Sequence, residues 1–391
     1  MLSLYDTRRR RLALVRTHGR TVTLYVCGIT PYDTTHLGHA RTFLLFDVLV
    51  RHLEAAGRRV RYVQNVTDID ESILQRAARD RESWRALGRR QERGYRADMA
   101  TLGWRPPDVM PHATREIPSM TALIRRLLAT GHGYRLPRGG VYYDVRCFPR
   151  FGALSRLSPA GMRRLLAAQD DARLDDPGRR HPLDFALWRR VPSGPTLPSP
   201  FGRGRPGWHV ECSAMAHHHL GHPIDIHGGG ADLIFPHHEA EIAQSEAAWG
   251  RPFARFWLHV APMLLGGRKM SKSTGNMVFV RDALREIHPD GLRLYLLAQH
   301  YRRPYDHDWR RMMEVDALAA AIHRLAARAG ARARLVPVPP AALRLLDRDL
   351  DTPAVLRLLR ALTRAGQPTA VAVARHLGLR VDGAGRAASP C

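Results

Sequence analysis

The stretch from Thr21 to Asp70 leaves this chain few folds to choose from. TVTLYVCGITP (21–31) is β-branched and apolar along its length and is closed by Gly and Pro, which predicts a buried strand. In THLGHARTFLLFDVLVRHLEAAG (35–57), Leu44, Leu45, Val48, Leu49 and Leu53 recur at helical spacing, and Gly57 ends the run. RRVRYVQNVTDID (58–70) reads as a second strand. Strand, glycine-containing turn, helix and strand form a βαβ unit, so the core is expected to be a parallel sheet. IDIHG (224–228) and FARFWLHVAPML (253–264) predict further strands, with the helix HHEAEIAQSEAAWG (237–250) between them.

Residues from about 114 to 200 read as an insertion into this core. GGVYYDVRCF (139–148) predicts a strand, while RLDDPGRRHP and VPSGPTLPSPFGRGRPG are rich in Pro, Gly and Arg and read as loops. After about residue 310, ALAAAIHRLAARAGARA and TPAVLRLLRALTRAG carry helical periodicity, and VDGAGRAASPC reads as a frayed tail. The expected division is a catalytic domain over 1–310, with its insertion, and a small helical domain over 311–391. No apolar run reaches the roughly 18 residues that a membrane span needs, and no signal-like segment follows the basic N-terminus, so a cytoplasmic protein without a membrane partner is expected. The four cysteines, Cys27, Cys147, Cys212 and Cys391, are too scattered for a disulfide framework. A formal net charge of +25 makes nucleic acid a candidate partner, although charge spread over solvated faces would give the same sum.

That charge is almost all arginine. Of 61 basic residues only Lys269 and Lys272 are lysine, and both lie in RKMSKSTGN (268–276). Lysine is a compact ammonium on a flexible stem, where arginine is a planar fork. A position that keeps lysine in such a chain suits a point charge beside a phosphate. A second candidate for phosphate chemistry is His36-Leu-Gly38-His39, at the turn that opens the first helix, where backbone N–H groups and the dipole favour an anion. A third constellation is Cys27, Cys212, His237 and Glu241. His237 and Glu241 are four apart and share a helix face, and two thiolates, an imidazole and a carboxylate suit tetrahedral zinc. Cys147 and Cys391 lack such surroundings. His217, His218 and His219 are consecutive, so they are expected to point around a helix as surface residues.

His36–His39 and Lys269-Met-Ser-Lys272-Ser resemble the two signatures of class I aminoacyl-tRNA synthetases. YVCGITPYDTTHLGHARTF, YVQNVTDID, RPGWHVECSAM, DIHGGGADLIFPHHEAEIAQSEAAWG and RKMSKSTGN more closely resemble the cysteinyl-tRNA synthetase and mycothiol ligase family, over about residues 1–310. The resemblance implies a Rossmann-like α/β catalytic domain that forms cysteinyl-adenylate from L-cysteine and ATP, with Mg2+. It implies catalytic roles for His36, His39, Lys269 and Lys272. It implies that Cys27, Cys212 and His237 hold Zn2+ with Glu241 as the fourth ligand, and that Thr67 and Trp208 lie by the cysteine. Gly230, Ala231 and Asp232 would hold the adenosine and Met263 the adenine edge. Gly28, Ile29, Thr30, Thr42, Asn65 and Val66 complete the expected substrate and ATP shell. Zinc selects the substrate in that family, because a soft thiolate fills an open zinc position that a hydroxyl fills poorly.

The two branches of the family differ in acceptor: the ribose hydroxyl of tRNA(Cys), or the amine of glucosaminyl-inositol. CGITPYDTTHLGHA, DDPGRR and DLDTP resemble the mycothiol ligase branch, as does the short C-terminal part. HARTFLLFDVL, DFALW and HHEAEIAQSEA resemble the synthetase, and Gln169-Asp-Asp-Ala-Arg-Leu174 departs from the E-R-G-G-D-P of the ligase branch. A small amine is the favoured acceptor, with tRNA(Cys) as the alternative. A non-catalytic RNA-binding paralogue is a third reading, opposed by the intact phosphate and metal motifs.

Overall fold

The computed structural model describes residues 1–381 except 18, 34, 168–177, 192, 271–274 and 332–334. The βαβ unit consists of β1 (Thr21–Ile29), α1 (Leu37–Ala55) and β2 (Arg59–Val66). The inserted region contributes α2 (Ile117–Ala129), β3 (Gly133–Arg135), β4 (Val141–Tyr143), β5 (Phe185–Arg189) and β6 (Arg205–Pro206). The chain then returns to the core through α3 (Trp208–Leu220), β7 (Ile224–Gly230), α4 (Glu239–Trp249) and β8 (Ala254–Val260). Two short strands follow, β9 (Met263–Leu265) and β10 (Arg268–Lys269), and then the helix α5 (Pro289–Leu297). The C-terminal helices are α6 (Trp309–Ala329), α7 (Pro340–Asp347), α8 (Thr352–Arg364) and α9 (Thr369–His376).

The core sheet runs β8-β7-β1-β2, and all three pairings are parallel. Alternation along β1 sends Val22, Leu24 and Val26 into one buried cluster and Tyr25 and Cys27 into another, so the sheet is covered on both faces. The first cluster includes Leu44 and Leu49 of α1 and continues through Ile322, Leu346, Leu359 and Val373 of the C-terminal helices. Arg293 of α5 is fully buried, pairs with Asp47 of α1, and donates to Leu102 O at 2.9 Å and to Leu377 O at 2.5 Å, which ties those helices to α1. The second cluster joins α3 and α4 to the insertion through Met120, Leu187 and Trp188.

The insertion departs from expectation in one respect. The Pro- and Gly-rich stretch before Trp208 is not loop throughout, since Arg205–Pro206 is the edge strand of an antiparallel sheet ordered β3-β4-β5-β6. Pro tolerates an edge, where its missing N–H is not needed by a neighbour. Among the described residues, no helix is long and apolar enough to cross a membrane.

Candidate active site and metal centre

In an open parallel sheet the crevice beyond the carboxyl ends of the strands is where ligands bind. Here that edge gathers Cys27–Ile29, Asn65–Thr67 and Gly228–Gly230. The turn between β1 and α1 depends on two close approaches. A Cβ on Gly28 would lie 1.8 Å from Asn65 O, so no larger residue fits between β1 and β2 there. A Cβ on Gly38 would meet His36 Cε1 at 2.8 Å, so glycine is what allows the His36 ring to fold back over its own helix. His36 caps α1: its Nδ1 accepts from Gly38 N at 3.1 Å and His39 N at 3.4 Å. Leu37 N is taken by Val278 O at 2.9 Å. The first amides of α1, expected from sequence to face a phosphate, are therefore already satisfied within the chain. Because Nδ1 accepts, the neutral His36 ring carries its proton on Nε2. The His39 ring lies 3.8 Å away, centroid to centroid.

Across the crevice, β10 is held on β9 by the pairing Leu264↔Lys269 and by Met270 N, which donates to Met263 O at 2.9 Å. Met270 and Met263 are both buried. Lys269 Nζ lies 2.7 Å from Asp232 Oδ2, in the turn that follows Gly230, and both side chains are about half exposed (47% and 53%). The lysine expected on phosphate thus sits on the aspartate expected near the adenosine. Lys272 falls outside the described residues, as do Gln169–Leu174.

Beneath the crevice the metal candidates converge. Cys27 lies two residues before the end of β1, Cys212 lies in the first turns of α3, and the wide turn Ile234–His238 sets His237 at the head of α4, one helical turn before Glu241. One ligand atom from each of Cys27, Cys212, His237 and Glu241 lies within 4.8 Å of the other three, and all four residues are buried. His237 Nε2 is 2.7 Å from Glu241 Oε1, and the Cys27 thiol donates to the same oxygen at 3.2 Å. Burial raises the Cys212 thiol, but its hydrogen bond with Cys27 and the charge of His237 overcome this and bring it down to about 6. Burial alone would lower His237, yet Glu241 and Cys212 raise it to about 10. Two soft sulfurs, one nitrogen and one oxygen at this spacing fit a tetrahedral zinc-class ion.

Sequence reasoning missed what surrounds these four. His209 Nδ1 meets His237 Nδ1 at 2.9 Å. His238 Nε2 is 3.3 Å from Cys27 Sγ, its Nδ1 is 2.7 Å from His259 Nε2, and His259 Nδ1 reaches Thr7 Oγ1 at 2.7 Å. His227 Nε2 lies 3.0 Å from Glu241 Oε2, without hydrogen-bond alignment. These residues define a second set of converging ligands, Cys27, His227, His238 and Glu241. That set is enclosed: His227 is fully buried, 5.2 Å from the Tyr25 ring and 4.6 Å from Trp257. The Cys212–His237 set instead borders Trp208, whose ring lies 4.4 Å from that of His237. A metal that must receive a further ligand needs such an open side. The only local clue in the sequence was the density of histidine in GWHVEC, DIHGGG and FPHHEAE.

Trp208 and Glu211 line a small pocket with Asp70, Arg189 and Arg205. Thr67 Oγ1 donates to Glu211 Oε2 at 2.8 Å, and burial pushes the Glu211 carboxyl well above its usual range. Asn65 braces the crest, with Oδ1 accepting from Gly28 N at 2.8 Å and Nδ2 donating to Thr67 Oγ1 at 3.3 Å. Ile29 and Val66 turn their side chains into the core, so only their backbone can face a ligand. Thr42 spends its hydroxyl on Gly38 O at 3.0 Å, one turn back in α1. Thr30 follows β1 at the crevice, and Gly230 and Ala231 lead into the turn that carries Asp232. Cys147 is exposed and, with Cys27 and Cys212, is a free thiol, whereas Cys391 falls outside the described residues.

A parallel sheet with phosphate-type motifs on two sides of its crest defines an enzyme of the class I aminoacyl-tRNA synthetase type. Solved structures agree on the fold: a Mycobacterium tuberculosis methionyl-tRNA synthetase bound to methionyl-adenylate superposes with a TM-score of 0.63 at 16% identity, over 92% of this chain and 82% of that one. An Agrobacterium radiobacter LeuRS–tRNA–LeuAMS complex gives 0.64 at 10% identity, over 93% and 83%. The chain belongs to the family described as "tRNA synthetases class I (C) catalytic domain", whose model matches residues 13–317. It is 47% identical to a Cysteine--tRNA ligase of Legionella pneumophila over 309 residues, 78% of this chain and 67% of that protein. It is 45% identical to the L-cysteine:1D-myo-inositol 2-amino-2-deoxy-alpha-D-glucopyranoside ligase of Acidothermus cellulolyticus over 363 residues, 91% of this chain and 88% of that protein.

Proposed function

We propose that the chain activates L-cysteine with ATP and Mg2+ to cysteinyl-adenylate, releasing pyrophosphate, and passes the cysteinyl group to the amine of glucosaminyl-inositol or a similar small amine. The observation that carries the activation step is the convergence of Cys27, Cys212, His237 and Glu241 beside Trp208, at the same crest as His36 and Lys269. Zinc bound by those four residues would take the substrate thiolate as a fifth ligand, and a hydroxyl in place of sulfur would bind it poorly. Thr67, Glu211 and the Trp208 ring are suited to holding the cysteine ammonium and excluding water around it. A cysteine carboxylate oxygen then attacks the α-phosphorus and the bond to pyrophosphate breaks. His36 Nε2–H and the Lys269 ammonium, once it leaves Asp232, stabilise the added negative charge by position and charge, with no covalent nucleophile from the protein.

This reading assigns a job to the Gly38 position. Gly38→Ala should push the His36 ring off its cap. The KM for ATP in cysteine-dependent ATP–pyrophosphate exchange is expected to rise roughly tenfold, the scale of one hydrogen bond to a charged group, while the KM for cysteine stays put. Protons compete with metal for both thiols, so metal should be retained better as pH rises. Release into a chelating dye should therefore grow as pH falls, as the two thiols and His237 take up protons in place of the metal.

For the acceptor, the amine reading is supported by the match to the Acidothermus ligase, which at 91% coverage must run well into the helices after residue 317. The second reading, transfer to tRNA(Cys), is favoured by the Legionella relatives and by the net charge of +25. In the amine reaction, the nitrogen attacks the adenylate carbonyl, AMP leaves and the nitrogen loses a proton, so proximity supplies most of the acceleration. The test offers labelled cysteine with glucosaminyl-inositol and bulk tRNA as competitors, at low and moderate salt. An amide product with little salt dependence supports the amine. Label in an alkali-labile tRNA ester, falling steeply with salt as phosphate contacts and their counterions are lost, would reverse the choice.

A further inference from the structure

The three consecutive histidines at the end of α3 do not all point apart. His217 turns to stack on Trp249, ring centroids 3.9 Å apart. His218 and His219 instead converge on one carboxylate, that of Glu116 at the head of α2. His218 Nδ1 is 2.8 Å from Glu116 Oε2, and His219 Nε2 is 2.9 Å from Oε1. Ser119 Oγ joins them, donating to Glu116 Oε2 at 2.9 Å and lying 3.1 Å from His218 Nδ1. One ligand atom from each of Glu116, His218 and His219 lies within 4.8 Å of the other two.

We propose that Glu116, His218 and His219 form a second divalent transition-metal site, distinct from the thiolate centre, that takes zinc or a similar borderline ion through two imidazole nitrogens and a carboxylate. Such ions take mixed nitrogen and oxygen ligands, and metal–ligand bonds of about 2.0–2.1 Å in a tetrahedron put neighbouring ligand atoms roughly 3.3 Å apart. The contacts of 2.8 and 2.9 Å fall about half an ångström short of that spacing and end on different oxygens of Glu116, so one ring must also swing toward the oxygen the metal takes, a movement open to His218 because its side chain is 56% exposed. That exposure also leaves room for water as a fourth ligand, with Ser119 Oγ as the alternative. The Glu116 carboxyl is suited to this: burial opposes its ionisation, but hydrogen bonds from His218, His219 and Ser119 prevail and hold it below its usual range.

The position gives the site a consequence. Cys212 and His218 are six residues apart on α3, roughly 9 Å of helix rise. A metal at Glu116 would fasten the far end of the helix that presents Cys212 and Trp208 to α2 of the insertion.

Co2+ titration of the full chain is the test, because cobalt bound through sulfur shows a thiolate-to-metal charge-transfer band and cobalt bound through nitrogen and oxygen does not. The wild type should take up a second equivalent without that band. Glu116→Gln combined with His219→Asn should bind one equivalent fewer while the thiolate band and cysteine-dependent pyrophosphate exchange persist. His218→Asn, a milder change at the most exposed ligand, should weaken the same equivalent at least tenfold. Uptake and affinity unchanged in these variants, or a wild type that binds cobalt only with the thiolate band, would overturn the proposal. Circular dichroism melting separates loss of the site from loss of the fold. The result does not depend on the proposed cysteine activation, since binding is read directly.

Discussion

Cys212→Ser is expected to cost the protein its thiolate-bound metal and its cysteine-dependent pyrophosphate exchange together. Cys212 is 1% exposed and belongs to the one ligand set that borders the Trp208 cleft. A serine hydroxyl is not ionised at neutral pH and is a harder ligand, so it cannot stand in for a thiolate that burial, Cys27 and His237 together leave at about 6. Removing one hydrogen-bond partner of a metal ligand typically costs roughly 10–100-fold in affinity or activity, and removing a ligand should cost more. Metal content by atomic emission should fall by about one ion per chain, and exchange should fall by more than a hundredfold. Cys147→Ser, at an exposed thiol remote from these ligands, is the control and should change neither. A Cys212→Ser protein that activates cysteine at the parental rate without metal would remove the basis of the proposed function.

The parts of this site that sequence reveals are those set by local geometry. The buried strand β1 and the helix α1 announce themselves by periodicity, because their side chains must fill the two faces of one sheet. His237 and Glu241 can be paired from their spacing alone, since four residues make one helical turn. Cys27 and Cys212 need the fold, or a family resemblance, to bring them together. The shell of His209, His227, His238 and His259 was not legible, because its order comes from four separate segments that only the fold brings together. Which ring nitrogen faces which neighbour is decided there and not along the chain.

Two readings changed for equally physical reasons. Successive residues on a helix are about 100° apart, which made His218 and His219 look unable to share a partner. A carboxylate has two oxygens, and Glu116, about a hundred residues away, supplies one to each ring. At α1 the helix-terminal amides were expected to be open to an anion. The chain satisfies them with its own His36, since unpaired N–H groups at a helix start must find some acceptor. A ligand at this turn would meet the imidazole in place of those amides.

Lys269→Arg is expected to slow pyrophosphate exchange by about 10²- to 10³-fold, the scale of losing one positioned donor in a charged transition state, with the melting temperature nearly unchanged. Lys269 Nζ now rests 2.7 Å from Asp232 Oδ2 in a half-exposed pair, the kind of contact that adds little to stability. A single ammonium on a flexible stem can leave that carboxylate for a phosphate oxygen. A guanidinium would hold Asp232 through two parallel hydrogen bonds and would release it less readily, besides placing its charge differently. Rate and KM separate the two causes: an arginine trapped on Asp232 should recover part of its rate when Asp232→Asn is added, whereas one that simply misplaces its charge should not. If Lys269→Arg works at the parental rate, the restriction of lysine to this one stretch of an arginine-rich chain has no mechanistic content. If it fails and the added Asp232→Asn partly restores it, the Lys269–Asp232 pair is the resting place of a mobile catalytic cation.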